Sequence, residues 1–201
     1  MKERPILFSA PMVRAILSGA KTQTRRVWKM PRGCSWYAEM GGERDGWFVD
    51  EGAPWWLHVS ECRCPYGQPG DRLWVREAFM HEAADYCWEA SVSIPCRPAV
   101  TVYRAVHDEH ESRCAGWKPS IHMPRALSRI TLEITDVRVE RLQDISVRDS
   151  IAEGIPAGGP ENPDGIELRD FRALWESING PGSWDANPWL WVVSFRKLEA
   201  A

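Results

Sequence analysis

The chain has no excess of basic residues, no Cys-x-x-Cys pair, no apolar run of membrane-spanning length and no internal repeat. Each absence removes a class of protein. A formal net charge of −3 excludes broad, non-specific coating of nucleic acid, which needs a basic surface, but leaves room for a local basic groove. Without about 20 consecutive apolar residues, no segment reads as a transmembrane helix, so no membrane partner is expected. The opening Met1-Lys2-Glu3-Arg4-Pro5 is polar, with no apolar signal core behind it, and the expected location is the cytoplasm. A cytoplasmic chain of 201 residues is long enough to bury a full core without disulfides. It reads as one domain, or one domain with large insertions. No sequence signal bears on oligomeric state.

Six cysteines are present, at 34, 62, 64, 87, 96 and 114. Cys62-Arg63-Cys64 is a weaker metal signal than Cys-x-x-Cys. It leaves open a zinc site completed by two of Cys34, Cys87, Cys96, Cys114 or His122, with partly buried free thiols as the alternative. His107 and His110 among acids lack a third placed ligand and read as an exposed loop. Tryptophan is abundant, with 12 residues. Trp74, Trp175 and Trp191 lie within apolar patterns and read as core. Trp36, Trp47, Trp55 and Trp56 lie in Gly- and Pro-rich sequence, either as stacking platforms for bases or as pins for an irregular insertion.

No carboxylate stands between Arg14 and Glu39. Within that gap lies Gly19-Ala20-Lys21-Thr22-Gln23-Thr24-Arg25-Arg26. A cationic, hydroxyl-rich segment beside a helix end suits an oxyanion or a nucleobase, or is simply a solvated basic loop. Pro5–Phe8 reads as a strand, followed by a helix with Ser9 as cap and Pro11 in its first turn. Met12, Val13, Ile16 and Leu17 form its buried stripe, and Gly19 ends it in the left-handed region. On a regular strand Thr24 and Arg26 face one way and Arg25 the other, so Lys21 and Thr24 share a site only if the backbone turns just after Lys21.

Further on, Leu73 and Val75 alternate with Arg72, Trp74 and Arg76 in a strand whose polar face, set beside the basic stretch, makes a concave cationic surface; pairing with Asp71 and Glu77 is the alternative. Ser128–Glu140 is a long strand with a bulge between Ile134 and Val137. Ser146 caps a helix ending at Glu153-Gly154, and residues 156–165 form a linker. Leu168, Phe171, Leu174, Trp175 and Ile178 define a second late helix, and Pro188–Phe195 a closing strand. Residues 29–65 and 80–124 show no clean periodicity beyond a hairpin at 47–59 and a strand at 101–105. The fold class is α+β: a small mixed or barrel-like sheet with flanking helices and two large loop-rich insertions.

The run Gly19-x-Lys21-x-x-Thr24-x-Arg26 resembles the signature of the ASCH domain family, within the PUA-like superfamily. Similarity in style extends over roughly residues 5–28, 66–79 and 125–196, and is greatest to the longer members carried by phages and prophages. The resemblance implies a PUA-like β-barrel with the motif in a cleft, and binding of a modified nucleoside or RNA. One branch of the family hydrolyses N4-acetylcytidine using a lysine, a threonine and a glutamate, which correspond here to Lys21, Thr24 and Glu153. In that reading Lys21, its pKa lowered by Arg25, Arg26 and partial burial, takes the Thr24 proton. Glu153 orients Lys21 or passes a proton to the leaving amine, and Arg26 or backbone N–H groups hold the oxyanion. No metal or cofactor is called for. Structural roles for the same residues are a Lys21–Glu153 salt bridge and a Thr24 turn cap. Two other functions share the cleft: a non-catalytic RNA-binding module with Arg25, Arg26, Arg72, Arg76 and Trp74 as contacts, and a metal-independent ribonuclease.

Overall fold

The computed structural model describes residues 1–32, 34–39, 42–50, 56–82, 85–89, 92–97, 100–106, 116–158 and 166–199. In chain order the elements are β1 (Glu3–Leu7), α1 (Ala10–Leu17), β2 (Gln23–Val27), β3 (Cys34–Glu39), β4 (Gly42–Asp50), β5 (Trp56–His58), β6 (Arg72–Arg76), β7 (Phe79–Glu82), β8 (Asp85–Glu89), β9 (Val92–Arg97), β10 (Val100–Tyr103), β11 (Thr131–Arg141), α2 (Val147–Ala152), α3 (Ile166–Asn179) and β12 (Trp189–Lys197).

One five-stranded sheet, ordered β1-β6-β11-β12-β2, carries the fold. The β1–β6 pair is parallel and the others are antiparallel. β12 lies inside this sheet and is covered on both faces. Val193 and Phe195 join Ile6, Leu73, Val75, Leu132 and the α1 residues Val13 and Ile16 in one core. Leu190, pointing the other way, joins Leu142, Phe171 and Trp175 in a second. Double coverage accounts for its near-continuous apolar run. β6 buries only Leu73 and Val75, in the alternation expected of a strand covered on one face. The register of β11 against β12 shifts between Ile134 and Asp136, at the expected bulge.

The α+β class is as expected, but the barrel is not closed. Among the described residues no ladder joins the edge strands β1 and β2. A side chain spans them instead: Arg26 Nη2 donates to the Leu7 carbonyl at 2.9 Å. The regions 29–65 and 80–124 are also less loop-rich than expected. The first holds a three-stranded sheet ordered β3-β4-β5, which contains the expected 47–59 hairpin. The second holds a β8–β9 hairpin, and its strand β10 pairs with β7. Short two-stranded ribbons need no apolar periodicity to satisfy their backbone, which is why these escaped the sequence reading. The acidic His107–Glu111 segment, Trp55, Cys114 and residues 159–165 of the linker lie outside the described residues, as do the side chains of Trp36, Trp47, Trp56, Cys87 and Cys96. No helix among the described residues is long and apolar enough to cross a membrane.

Candidate functional site

Gly19, at φ +79°, ends α1 and turns the chain back toward it, so that the Lys21 N–H donates to the Ala15 carbonyl at 2.9 Å. Lys21 then pairs by a lone β-bridge with Glu153, the residue that closes α2. Thr22 joins the two sides, its N–H donating to the Ala152 carbonyl at 2.9 Å and its carbonyl accepting from the Phe195 N–H of β12 at 2.8 Å, and from Gln23 the chain pairs with β12. The expected change of course after Lys21 is therefore present: Lys21 belongs to the end of α2, and the residues after Thr22 belong to the sheet.

Glu153 is held at that junction by the Ser146-capped helix and by Gly154. Ser146 Oγ accepts from the Asp149 N–H at 3.1 Å. Gly154, at φ +96°, lies so close to α1 and Lys21 that a Cβ there would meet Ala15 Cβ at 3.1 Å and Lys21 Cβ at 3.3 Å. The Lys21 side chain is fully buried, and its ammonium donates to Glu153 Oε2 at 2.6 Å and to the Glu153 carbonyl at 2.7 Å. Burial pushes the Lys21 pKa down, aided by Arg26 and Arg25, while Glu153 pulls the other way; the net direction is down.

Arg25 extends this pair into a network. Its Nη1 donates to Glu153 Oε1 at 3.3 Å and to Gln23 at 3.2 Å; its Nη2 donates to Glu140 at 3.0 Å and lies 3.6 Å from Asp149. Arg138 binds Glu140 and Asp149 from the other side. Three cations, Lys21, Arg25 and Arg138, thus face three carboxylates, Glu140, Asp149 and Glu153, within one partly buried cluster. Such compensation is what permits so many charges out of water.

Arg26 stands outside that compensation. It shares a face of β2 with Thr24, and its Nη1 donates to Thr24 Oγ1 at 2.7 Å and to the Arg25 carbonyl at 2.9 Å. The Phe8 ring links the two sides of the site, with Arg26 Cζ 5.3 Å and Lys21 Nζ 5.9 Å from its centroid. Burial pushes the Arg26 pKa down, with Glu153 opposing.

These groups border a cavity of about 400 Å³. Phe8, Met12 of α1 and Val27 of β2 line it together with Phe171, Leu174, Trp175 and Ile178 of α3, and Arg25, Arg26 and Glu153 bring charge to the lining. Of the three expected catalytic residues only Glu153 lines it. Thr24 is fully buried with its hydroxyl held by Arg26, and Lys21 is sequestered behind Glu153. The salt-bridge role for Lys21 and Glu153 is thus realised beside an open cavity.

The remaining candidates lie elsewhere. Arg72, Trp74 and Arg76 stand on the outer face of β6 and line none of this cavity. Arg76 stacks on Trp74 at 5.1 Å and donates to the Met123 carbonyl at 2.9 Å, so its guanidinium is not offered to the cavity that Arg26 lines. Nor do Asp71 and Glu77 neutralise these arginines: Asp71 is bound by Arg4, and Glu77 by Arg129. Cys62 and Cys64 are half-buried free thiols, and burial pushes both pKa values up. Among the described residues no three metal-ligating side chains are grouped.

Sequence reasoning missed the cavity wall and the partners of Arg25. Phe171 and Trp175 show helical spacing, but that marks a buried face without saying that part of it borders a void. Arg138 and Glu140, two apart on a strand, could have been read as one charged face. Comparison of the chain with known protein families, with curated proteins and with solved structures finds no match.

Proposed function

We propose that the chain is an ASCH-type, PUA-like cytoplasmic protein whose cavity receives the base of a modified nucleoside or of an RNA end, and that it removes the acetyl group of N4-acetylcytidine there. One observation carries this reading: a cavity of about 400 Å³, the size of a small-ligand site, with aromatic side chains and both Glu153 and Arg26 in its lining. Phe8, Phe171 and Trp175 suit a flat ring. In the reaction, the Thr24 oxygen bonds to the acetyl carbon as Lys21 takes its proton, backbone N–H groups face the oxyanion, and the amide C–N bond breaks as that proton passes from Lys21 to the leaving amine. Water then releases acetate. The lowered pKa of Lys21 favours a base; its ammonium must first pass a proton to Glu153, which opens their ion pair and leaves the neutral amine.

The burial of Thr24 favours a second reading, base recognition without chemistry. The metal-independent ribonuclease has less support, since the Lys21 ammonium faces Glu153 rather than the cavity. Incubation with N4-acetylcytidine, followed by its ultraviolet spectrum, separates these. Conversion to cytidine that disappears in Thr24→Ala and Lys21→Ala supports hydrolysis. No conversion, with a salt-dependent shift of labelled RNA, supports binding alone. Cleavage of the RNA without added metal would support the nuclease.

A further inference from the structure

The charge count around the cavity points to the class of ligand. Lys21, Arg25 and Arg138 face Glu140, Asp149 and Glu153, and Arg138 also lies 3.8 Å from the exposed Asp136. Both oxygens of Glu153, the one carboxylate lining the cavity, are taken, Oε1 by Arg25 and Oε2 by Lys21. Arg26 is different. No carboxylate lies within ion-pair distance of it among the described residues. A guanidinium has five N–H donors. Arg26 places three of them on neutral oxygens: Thr24 Oγ1, the Arg25 carbonyl and the Leu7 carbonyl. Two donors and a full positive charge are left at a half-buried cavity wall, over the face of Phe8.

An unmatched guanidinium beside apolar surface is stabilised most by an oxyanion that accepts two parallel N–H bonds. Resting on the nucleoside reading above, we infer that Arg26 is the anion anchor of the cavity and that the preferred ligand carries a phosphate monoester: a nucleotide or the phosphorylated end of an RNA, rather than an uncharged nucleoside. The base packs against Phe171 and Trp175 while the phosphate takes the two remaining Arg26 donors. Arg26 also ties β2 to the end of β1, but a purely structural tie would not distinguish a nucleotide from its nucleoside.

Isothermal titration calorimetry on the full chain tests this with cytidine, cytidine 5′-monophosphate, inorganic phosphate, and a short RNA with and without a terminal phosphate. The expected result is that cytidine monophosphate binds about tenfold or more tightly than cytidine, that the gap narrows as salt is raised, and that it shrinks to under about threefold in Arg26→Gln while Arg26→Lys keeps part of it. A preference for phosphorylated RNA over both free nucleotide and dephosphorylated RNA identifies an RNA end as the source; a preference confined to the mononucleotide identifies a free nucleotide. Either supports the anchor. Inorganic phosphate binding as tightly as the nucleotide overturns the nucleotide or RNA-end assignment, because the base would then contribute nothing. Equal affinity for cytidine and its monophosphate overturns the anchor and leaves the nucleoside reading intact. Failure of every nucleoside, nucleotide and RNA to bind removes both. If Arg26→Gln does not fold, the wild-type salt series decides: a gap that does not change with salt overturns the proposal.

Discussion

Glu153 holds Lys21 twice, through its carboxylate at 2.6 Å and through its own backbone carbonyl at 2.7 Å, so one residue at the end of α2 both neutralises and positions the buried ammonium. The second bond survives loss of the carboxylate charge. Glu153→Gln should therefore leave Lys21 in place but uncompensated, and Arg25 without one of its partners. A loss of about 3–5 kcal/mol is expected, read as a lower urea midpoint at unchanged slope. A loss below about 1 kcal/mol would show that the cluster is not needed to hold α2 against the sheet.

Lys21 also carries a pH signature. Its native pKa lies below the ordinary value of 10.5 that it regains on unfolding. Between those two values the unfolded chain binds more protons, so stability from this site rises with pH in that window. Lys21→Met should show a flatter dependence than the parent as pH approaches 10.5 from below, measured as urea midpoints. Parallel curves for the two proteins would contradict the assignment.

At the acid end Asp149 has the opposite sense. Burial raises its pKa, but the Ser146 hydroxyl and the cations Arg25 and Arg138 outweigh that and hold it below the ordinary 3.8. Its stabilisation is present above that value and is lost as pH falls through the lower native pKa. Asp149→Asn should be less stable than the parent at pH 7, with the difference shrinking below about pH 4 in thermal melts.

Two glycines separate backbone strain from crowding. Gly19 and Gly154 both have positive φ, but a Cβ at Gly19 meets nothing within 4 Å, whereas at Gly154 it meets Ala15 and Lys21. Gly19→Ala should cost about 1–2 kcal/mol, the conformational term alone. Gly154→Ala should cost measurably more, by roughly 1 kcal/mol or above, because Ala15 or Lys21 must shift. Equal melting temperatures for the two variants would mean that the α1–Lys21–α2 contact is loose.

Glu77 offers a control that does not line the cavity. It is 1% exposed and is bound in a fork by Arg129 at 2.9 and 3.0 Å. Arg129→Ala leaves that carboxylate unpaired and should cost about 1–3 kcal/mol or more in stability. Ligand binding at the cavity should be unchanged once folding is corrected for. A change in affinity would mean that the two regions are coupled.

Much of the local structure was readable from the chain. Pro11 before an apolar stripe, Gly19 after it, the Ser146 cap and the Gly154 exit place α1 and α2 correctly, because helix ends are decided by φ and by unsatisfied N–H and C=O groups within a few residues; Ser9 stands at the expected N-cap position, but its side chain makes no capping hydrogen bond. Alternation around Leu73 and Val75 likewise placed β6 and its buried face. The pairing of β7 with β10 was not readable, since neither short strand has enough periodicity to announce a partner about 20 residues away.

For the candidate site, the residue order Lys21, Thr24, Arg25, Arg26 is enough to put Thr24 and Arg26 on one face of β2 and Arg25 on the other, since strand geometry alternates side chains whatever the fold around them. Which charges meet is a tertiary matter. Lys21 and Glu153 are 132 positions apart, and Arg25 reaches Glu140 across 115. Only the packing of α2 against the edge of the sheet matches Arg25 with carboxylates while leaving Arg26 beside Phe8 with none. Two adjacent arginines, indistinguishable as a basic pair in the chain, thereby become a buried strut and a cavity-facing cation, because Coulombic partners and access to water are set by what folds against each face.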